Sequence, residues 1–119
     1  MDNNIVPSLV IIGNIAYDVI DFSKVKKNRK NIINIGGACL FSAIPASLFH
    51  RVGIVAKVGN DFDISNIYDY NIDLSGIKKL NLPTTRFYTI WNTADGQDRS
   101  IRGEVQPEME VGFEDIPAK

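Results

Sequence analysis

The sequence has few of the residues from which covalent and catalytic sites are most often built. Its 119 residues include one cysteine, Cys39, and one histidine, His50, so no internal disulfide can form and no cluster supports a zinc site. A single cysteine is typical of the reducing cytosol, and we expect a cytoplasmic protein. Neither a Gly-x-Ser-x-Gly elbow nor a phosphate-binding P-loop is present, so no complete catalytic set can be assembled.

Long apolar runs and an excess of one charge are also absent. No apolar run reaches 18 residues, and no basic stretch precedes an apolar one at the start, so we expect neither a membrane span nor a signal peptide. Lysine and arginine total 13 and aspartate and glutamate 14, a balance that does not favour nucleic acid as a partner. Residues 23–31 contain five basic side chains: Lys24, Lys26, Lys27, Arg29 and Lys30. This segment could bind phosphate or RNA, but we favour the interpretation that it is the solvated tip of a hairpin.

The stretch from residue 34 to 59 carries the strongest pattern in the chain. Apolar residues make up 45% of the sequence, enough for the core of one small domain. Gly36-Gly37 predicts a sharp turn, and apolar residues at helical spacing, including Leu48, predict a helix over about 38–50. Pro45 predicts a kink in it. The β-branched run after it predicts a buried strand at 53–58. Backbone N–H groups at the helix start could donate to a polar or anionic ligand.

The other segments predict strands and one polar pocket. An apolar strand at 9–13 precedes Asp18, which suits either a hydroxyl acceptor at the sheet edge or an ordinary turn residue. Further strands are predicted at 17–22, 31–35, 86–92 and 99–105, the last two joined by a turn at Asp95-Gly96. The last hairpin forms a lid that carries Arg86, Tyr88 and Arg102 over Asp18. Three aspartates follow Gly59 but lack the glycine and terminal glutamate of a calcium loop: Asp61, Asp63 and Asp69.

The order of these pieces resembles the N-terminal part of the PfkB, or ribokinase-like, carbohydrate kinases. The resemblance is carried by VIIGNIAYDVI (10–20), the Gly36-Gly37 turn with its helix, RVGIVAKVGNDF (51–62), NIDLSGI (71–77) and PTTRFYTIW (83–91). Singly each motif is weak, whereas five in the family's order are specific. The resemblance implies an α/β fold over residues 1–119: a partial ribokinase-like domain with a small parallel core sheet, helices and a β-hairpin lid.

The resemblance also implies a set of substrate-binding residues. They are Asp18 for substrate hydroxyls and the backbone of Gly36 and Gly37. Around them we also predict Asn14, Phe41, Tyr88 and Arg102 as substrate-binding residues. The family commonly has asparagine at the position of Phe41, although some relatives carry an aromatic residue there. The segment after Asp61 also looks shortened. The substrate implied is a sugar or nucleoside, with neither nucleic acid nor membrane as a partner.

The catalytic parts of that family are not found in these residues. The Gly-Ala-Gly-Asp motif that supplies the base, the anion hole and the ATP site is missing, so the ATP and Mg²⁺ that the full family uses have no site here. We expect a truncated kinase portion that is inactive alone, completed by a C-terminal half. The alternative is a non-catalytic sugar-binding or assembly module. The apolar strands should leave one sheet face open, which predicts self-association or marginal stability. The resemblance also implies a possible homodimer, because some family members pair their lid sheets, and the hairpin at Asp95-Gly96 is the candidate surface.

Overall fold

The computed structural model describes residues 6–26 and 28–117, and Lys27 of the predicted basic tip lies outside them. These residues form two sheets and one helix, and each predicted strand boundary lies within one residue of the observed one. The elements are β1 (Leu9–Ile12), β2 (Ala16–Asp21), β3 (Ile32–Gly36), α1 (Ala38–Ala46), β4 (Val52–Gly59), β5 (Ile72–Asp73), β6 (Ile77–Leu80), β7 (Arg86–Trp91) and β8 (Arg99–Glu104), with 3₁₀ turns at Ile64–Ile67, Pro107–Met109 and Phe113–Asp115.

The core sheet is parallel and is built around β4. β1 pairs with β4 from Leu9↔Val52 to Ile12↔Val55, and β5 and β6 pair in parallel with successive parts of β4. Both faces of β4 are covered, as the continuous apolar run predicts. The predicted α/β fold with a small parallel sheet is confirmed.

Helix α1 packs on this sheet through a narrow apolar face. Cys39, Leu40 and Ala43 are buried and join the cluster that contains Ile54 and Phe62. Burial in this apolar cluster raises the pKa of the Cys39 thiol to about 11. Cys39 is therefore a small core residue, as its position inside the helix predicts.

The predicted helical extent is wrong at its C-terminal end. α1 stops at Ala46 instead of continuing to residue 50. Pro45 lies inside its last turn and has no N–H to donate to the Phe41 carbonyl oxygen, which weakens that turn. The backbone N–H of Leu48 donates to the carbonyl oxygen of Pro45 at 3.2 Å, so the chain tightens into a turn. Leu48, predicted on the apolar face, is consequently 75% exposed.

The second sheet, here called the lid sheet, has the order β3-β2-β7-β8. β2 pairs antiparallel with β3 and parallel with β7, and β7 pairs antiparallel with β8. The basic segment is the connection between β2 and β3, as the hairpin-tip interpretation predicts. The loop at Asp95-Gly96 is wider than a two-residue turn: the Asn92 N–H donates to the Asp98 carbonyl at 2.9 Å, and Gly96 has a φ of 72°.

Residues 106–117 return from the lid sheet to the core sheet. Asp115, whose side chain is 4% exposed, lies 2.7 Å from Lys78 Nζ and 3.4 Å from Lys57 Nζ. Lys57 also donates to the carbonyl oxygen of Glu110 at 2.7 Å. Two cations on β4 and β6 thus attach the C-terminal segment to the parallel sheet.

The outer side of β1 stays open, as the apolar strands predict. Leu9, Val10 and Ile12 are 40%, 51% and 53% exposed, although β-branched strands of this kind are normally covered on both faces. Within residues 6–26 and 28–117, no helix has the length and apolar content needed to cross a bilayer.

Candidate functional site

Asp18 lies in the middle of β2, next to Asn34 on β3 and Phe87 on β7. Its side chain is half-buried. Among the residues that the structure describes, no group donates a hydrogen bond to its carboxylate or forms an ion pair with it. Burial raises the pKa of Asp18 above its ordinary value of 3.8 because desolvation penalises the charged form. A half-buried carboxylate without a donor can accept hydrogen bonds from an incoming hydroxyl or amine.

The paired glycines lie directly against Asp18. Gly36 ends β3 opposite Ala16, and a Cβ built on Gly36 would overlap the Oδ2 atom of Asp18. Gly37 has a φ of 93° and fits closely against the carbonyl oxygen of Asn14. That carbonyl accepts a hydrogen bond from the Cys39 N–H at 3.1 Å. The structure therefore brings Asn14, Asp18, Gly36 and Gly37 together. Backbone conformation favours glycine at position 37, and at position 36 any side chain would displace the Asp18 carboxylate.

Helix α1 begins at this point and directs its first turn toward the group. Gly37 is the N-cap, and the N–H groups of the first turn have no intrahelical acceptor. Such amides, at the positive end of the helix dipole, suit an oxygen-rich ligand. Phe41, whose N–H donates to the Gly37 carbonyl at 3.1 Å, follows one turn later and is 66% exposed. Its exposed ring offers an apolar surface near the start of the helix.

Tyr88 and Arg102 do not join this group. In a strand, successive side chains point to opposite faces. The register pairs Asp18 with Phe87 and pairs Tyr88 with Val19 and Arg102, so Tyr88 and Arg102 lie on the face opposite Asp18. There the Arg102 guanidinium lies 4.2 Å from the centre of the Tyr88 ring. The predicted pocket in which both side chains face Asp18 is therefore corrected.

The residues that do share the Asp18 face were missed by sequence reasoning. Asn34 and Phe87 are the direct neighbours of Asp18, and Gly103 lies beyond Phe87 on β8. A Cβ on Gly103 would come within 3.1 Å of the Phe87 ring, so this glycine leaves room for the ring. The alternation of β7 signals that Phe87 and Tyr88 face opposite ways. It contains no signal of which one faces Asp18, because that depends on the pairing with β2.

An open cavity of about 330 Å³ adjoins Asn14 on the side of the C-terminal segment, lined also by Val105, Gln106, Pro107, Met109 and Glu110. This volume suits a small molecule of a few rings at most. No group of three or more His, Cys, Asp or Glu side chains in the described ranges could hold a metal ion.

Comparison with known structures shows which fold this chain shares. Fructokinase from Vibrio cholerae O395 matches with a TM-score of 0.70 and 21% identity, over 92% of this chain and 38% of that one. A nucleoside kinase from Methanocaldococcus jannaschii, described as an archaeal member of the ribokinase family, matches with a TM-score of 0.67 and 16% identity, over 81% and 36%. Ribokinase from Arabidopsis thaliana, solved with ribose and ATP, matches with a TM-score of 0.63 and 21% identity, over 84% and 36%.

The chain spans somewhat more than a third of the length of these three structures. No protein-family model matches the sequence, and no significant match to a curated protein was found. The comparisons therefore show the fold, and with it the arrangement of a parallel core sheet beside a lid sheet.

Proposed function

We propose that this chain, which has the fold of part of a ribokinase-like kinase, forms the acceptor-binding side of an ATP-dependent sugar or nucleoside kinase. The observation that carries the proposal is the Asp18 carboxylate: it is half-buried, has no partner among the described residues and lies against Gly36. Desolvating a carboxylate costs free energy unless a donor compensates. The hydroxyl groups of a sugar or ribose supply such donors.

In this proposal each neighbouring group has a binding role. Asp18 accepts hydrogen bonds from one or two substrate hydroxyls. The first-turn amides of α1 donate to substrate oxygens, except that of Cys39, which already donates to the Asn14 carbonyl oxygen. Phe87, on the same face, and Phe41, at the helix start, offer apolar surface to the ring of the substrate. The cavity beside Asn14 supplies the space. These residues bind and orient a substrate, and none of them is placed to take the proton from the hydroxyl that is phosphorylated.

Phosphoryl transfer needs more than this chain supplies. The reaction depends on electrostatic stabilisation of the transferring group and on a residue that orients or deprotonates the nucleophile. In this proposal the sites for ATP and Mg²⁺ lie outside the residues described. We propose that a further segment of chain, either continuous with this one or a separate polypeptide, supplies those parts in the cytoplasm and covers the open side of β1.

A binding module without catalysis is the second candidate. It is favoured by the same observation, since the unpartnered Asp18 carboxylate can bind a ligand whether or not a reaction follows. The two candidates differ in turnover. If the acceptor-site proposal holds, the isolated chain binds a sugar or nucleoside without phosphorylating it, and turnover appears only when the missing segment is added. A module binds its ligand and gains no turnover from any such segment.

The site is tested by substituting Asp18. A panel of sugars and nucleosides is titrated against the chain by calorimetry, with ATP and Mg²⁺ present in a parallel activity assay. We expect Asp18→Asn to weaken binding by about tenfold or more, as for loss of a charged hydrogen bond. The control is Asp21→Asn on the same strand: Asp21 is on the opposite face, accepts a hydrogen bond from its near neighbour Ser23, and should leave affinity unchanged. Equal affinity of the wild type and Asp18→Asn, or turnover by the isolated chain, would contradict the proposal.

A further inference from the structure

A cluster of polar contacts joins the core sheet to the lid sheet, and it is here called the lid–core junction: residues 59–63, Tyr17 and residues 84–86. Its centre is Asp61. The Asp61 carboxylate accepts hydrogen bonds from the Thr84 N–H at 2.9 Å and from the Thr84 hydroxyl at 2.6 Å. It also forms an ion pair with Arg86 at 2.9 Å. One carboxylate from the core side thus binds the segment through which the chain enters β7.

The same loop binds β2 through Tyr17. The Tyr17 hydroxyl donates to the Asp61 carbonyl oxygen at 3.2 Å and accepts from the Asp63 N–H at 3.1 Å. The Tyr17 ring lies 5.4 Å from the Phe62 ring and 5.1 Å from the Arg86 guanidinium, measured between centres. Both parallel strands of the lid sheet are therefore attached to residues 61–63.

The loop after β4 and the segment that leads into β7 are in close, buried contact. Thr84 is 2% exposed, and its hydroxyl accepts a hydrogen bond from the Gly59 N–H at 2.9 Å. A Cβ on Gly59 would overlap the Leu82 carbonyl oxygen and the Thr84 nitrogen. The chain crossing from the core sheet to β7 is thus held at a fixed position against the end of β4. Rotation of the lid sheet about this crossing requires the bonds of Asp61 to break.

We propose that Asp61 is a positioning residue, whose bonds to Thr84 and Arg86 hold the lid sheet, and Asp18 on it, in place against the core sheet and the helix α1 that packs there. Asp18 follows Tyr17 directly on β2, so a shift of Tyr17 relative to the core sheet also moves Asp18 relative to α1. The consequence for ligand binding rests on the proposed function of Asp18. The consequence for lid order rests on the junction contacts alone.

The test compares two carboxylates of one loop. Asp61→Asn keeps the size of the side chain and removes the charge that faces Arg86. Asp63→Asn makes the same change two residues away, where the side chain bonds only to Ser65. Hydrogen–deuterium exchange of peptides covering β2 and β7 is compared with that of β1 and β4 in the full chain. We expect Asp61→Asn to accelerate exchange of β2 and β7 by about tenfold, with β1 and β4 unchanged and no such effect from Asp63→Asn.

Ligand affinity and a second variant complete the test. Where the wild type binds a sugar or nucleoside, Asp61→Asn weakens that binding by about tenfold although Asp18 is intact. Arg86→Lys keeps a cation at this position and leaves the hydrogen bonds between Asp61 and Thr84 intact, so this variant should fold. We expect it to increase exchange of β2 and β7 less than Asp61→Asn does. Unchanged exchange of β2 and β7 in both variants, or equal acceleration of β1 and β4, overturns the positioning role. If the wild type binds no ligand, the proposed function fails, and the exchange comparison still decides the role of Asp61.

Discussion

At the scale of the residue, two aspartates show how the surroundings decide the role of one side chain. Burial raises the pKa of Asp18, and no donor compensates. Burial acts in the same direction on Asp61, but the hydrogen bonds from Thr84 and the Arg86 guanidinium outweigh it and hold its pKa at about 2. A carboxylate with hydrogen-bond donors and a cation beside it, such as Asp61, stabilises the fold. A half-buried carboxylate without a donor, such as Asp18, is characteristic of a binding site.

This difference predicts opposite effects on stability and on binding when Asp18 is changed. Because the folded-state pKa of Asp18 is raised, the folded chain binds more protons than the unfolded one near that pKa, and this residue lowers stability as pH rises through it. Asp18→Asn should therefore raise the midpoint of thermal unfolding at pH 7 while weakening ligand binding. Wild-type affinity should fall on acidification at a pH above 3.8. A variant that loses stability and affinity together would contradict this assignment.

Gly36→Ala tests the contact between the glycine turn and Asp18. A Cβ at position 36 overlaps the Asp18 carboxylate, so the side chain has to rotate away from the substrate position. We expect weaker ligand binding by about tenfold, as for misplacement of a charged hydrogen-bonding group. Gly13→Ala is the matched control, because its Cβ would meet Cys39 at an ordinary 3.5 Å. Calorimetric titration of both variants checks the expectation, and similar affinities for the two would contradict it.

At the scale of the element, the sequence predicts what is periodic and misses what depends on pairing. The apolar runs in β1 and β4 and the alternation in β7 are local patterns, and they place these strands within one residue. The face that Tyr88 occupies depends on the register of β7 against β2, which no local pattern encodes. The end of α1 was misplaced because Leu48 keeps the apolar spacing beyond Ala46, where the helix ends.

Pro45→Ala is expected to stabilise the last turn of α1. The substitution restores the backbone donor to the Phe41 carbonyl oxygen and removes the ring from that turn. Proline costs about 3 kcal/mol in a helix interior, part of which is offset because proline also restricts the unfolded chain. We expect a net gain in stability of about 1 kcal/mol and greater helicity, measured by chemical denaturation and circular dichroism. Pro83→Ala, in an exposed connection before β7, controls for the unfolded-state effect. An unchanged helix signal would contradict the account of Pro45.

At the scale of the whole molecule, the two sheets serve different parts of the proposed function. Helix α1, which starts after the glycine turn, packs on the core sheet, whereas the lid sheet carries Gly36, Asp18, Asn34 and Phe87. The position of Asp18 relative to α1 therefore depends on the lid–core junction centred on Asp61. The sequence signalled each half of the site separately, and the resemblance to ribokinase-like kinases supplied their order. The angle between the sheets is set by contacts such as Asp61 with Arg86, which link residues far apart in sequence.

The open side of β1 predicts association. Leu9, Val10 and Ile12 expose apolar surface next to an unfilled apolar depression lined in part by Val10, Ile54 and Ile116. Exposed apolar surface of this kind marks an interaction site. We expect the isolated chain to self-associate with rising concentration in light scattering, and Val10→Ser with Ile12→Ser to shift it toward the monomer. Leu48→Ser with Phe49→Ser is the matched control, because these residues are 75% and 80% exposed in the turn after α1. A wild type that remains monomeric, or equal shifts in both double variants, would show that the β1 side is not the associating surface.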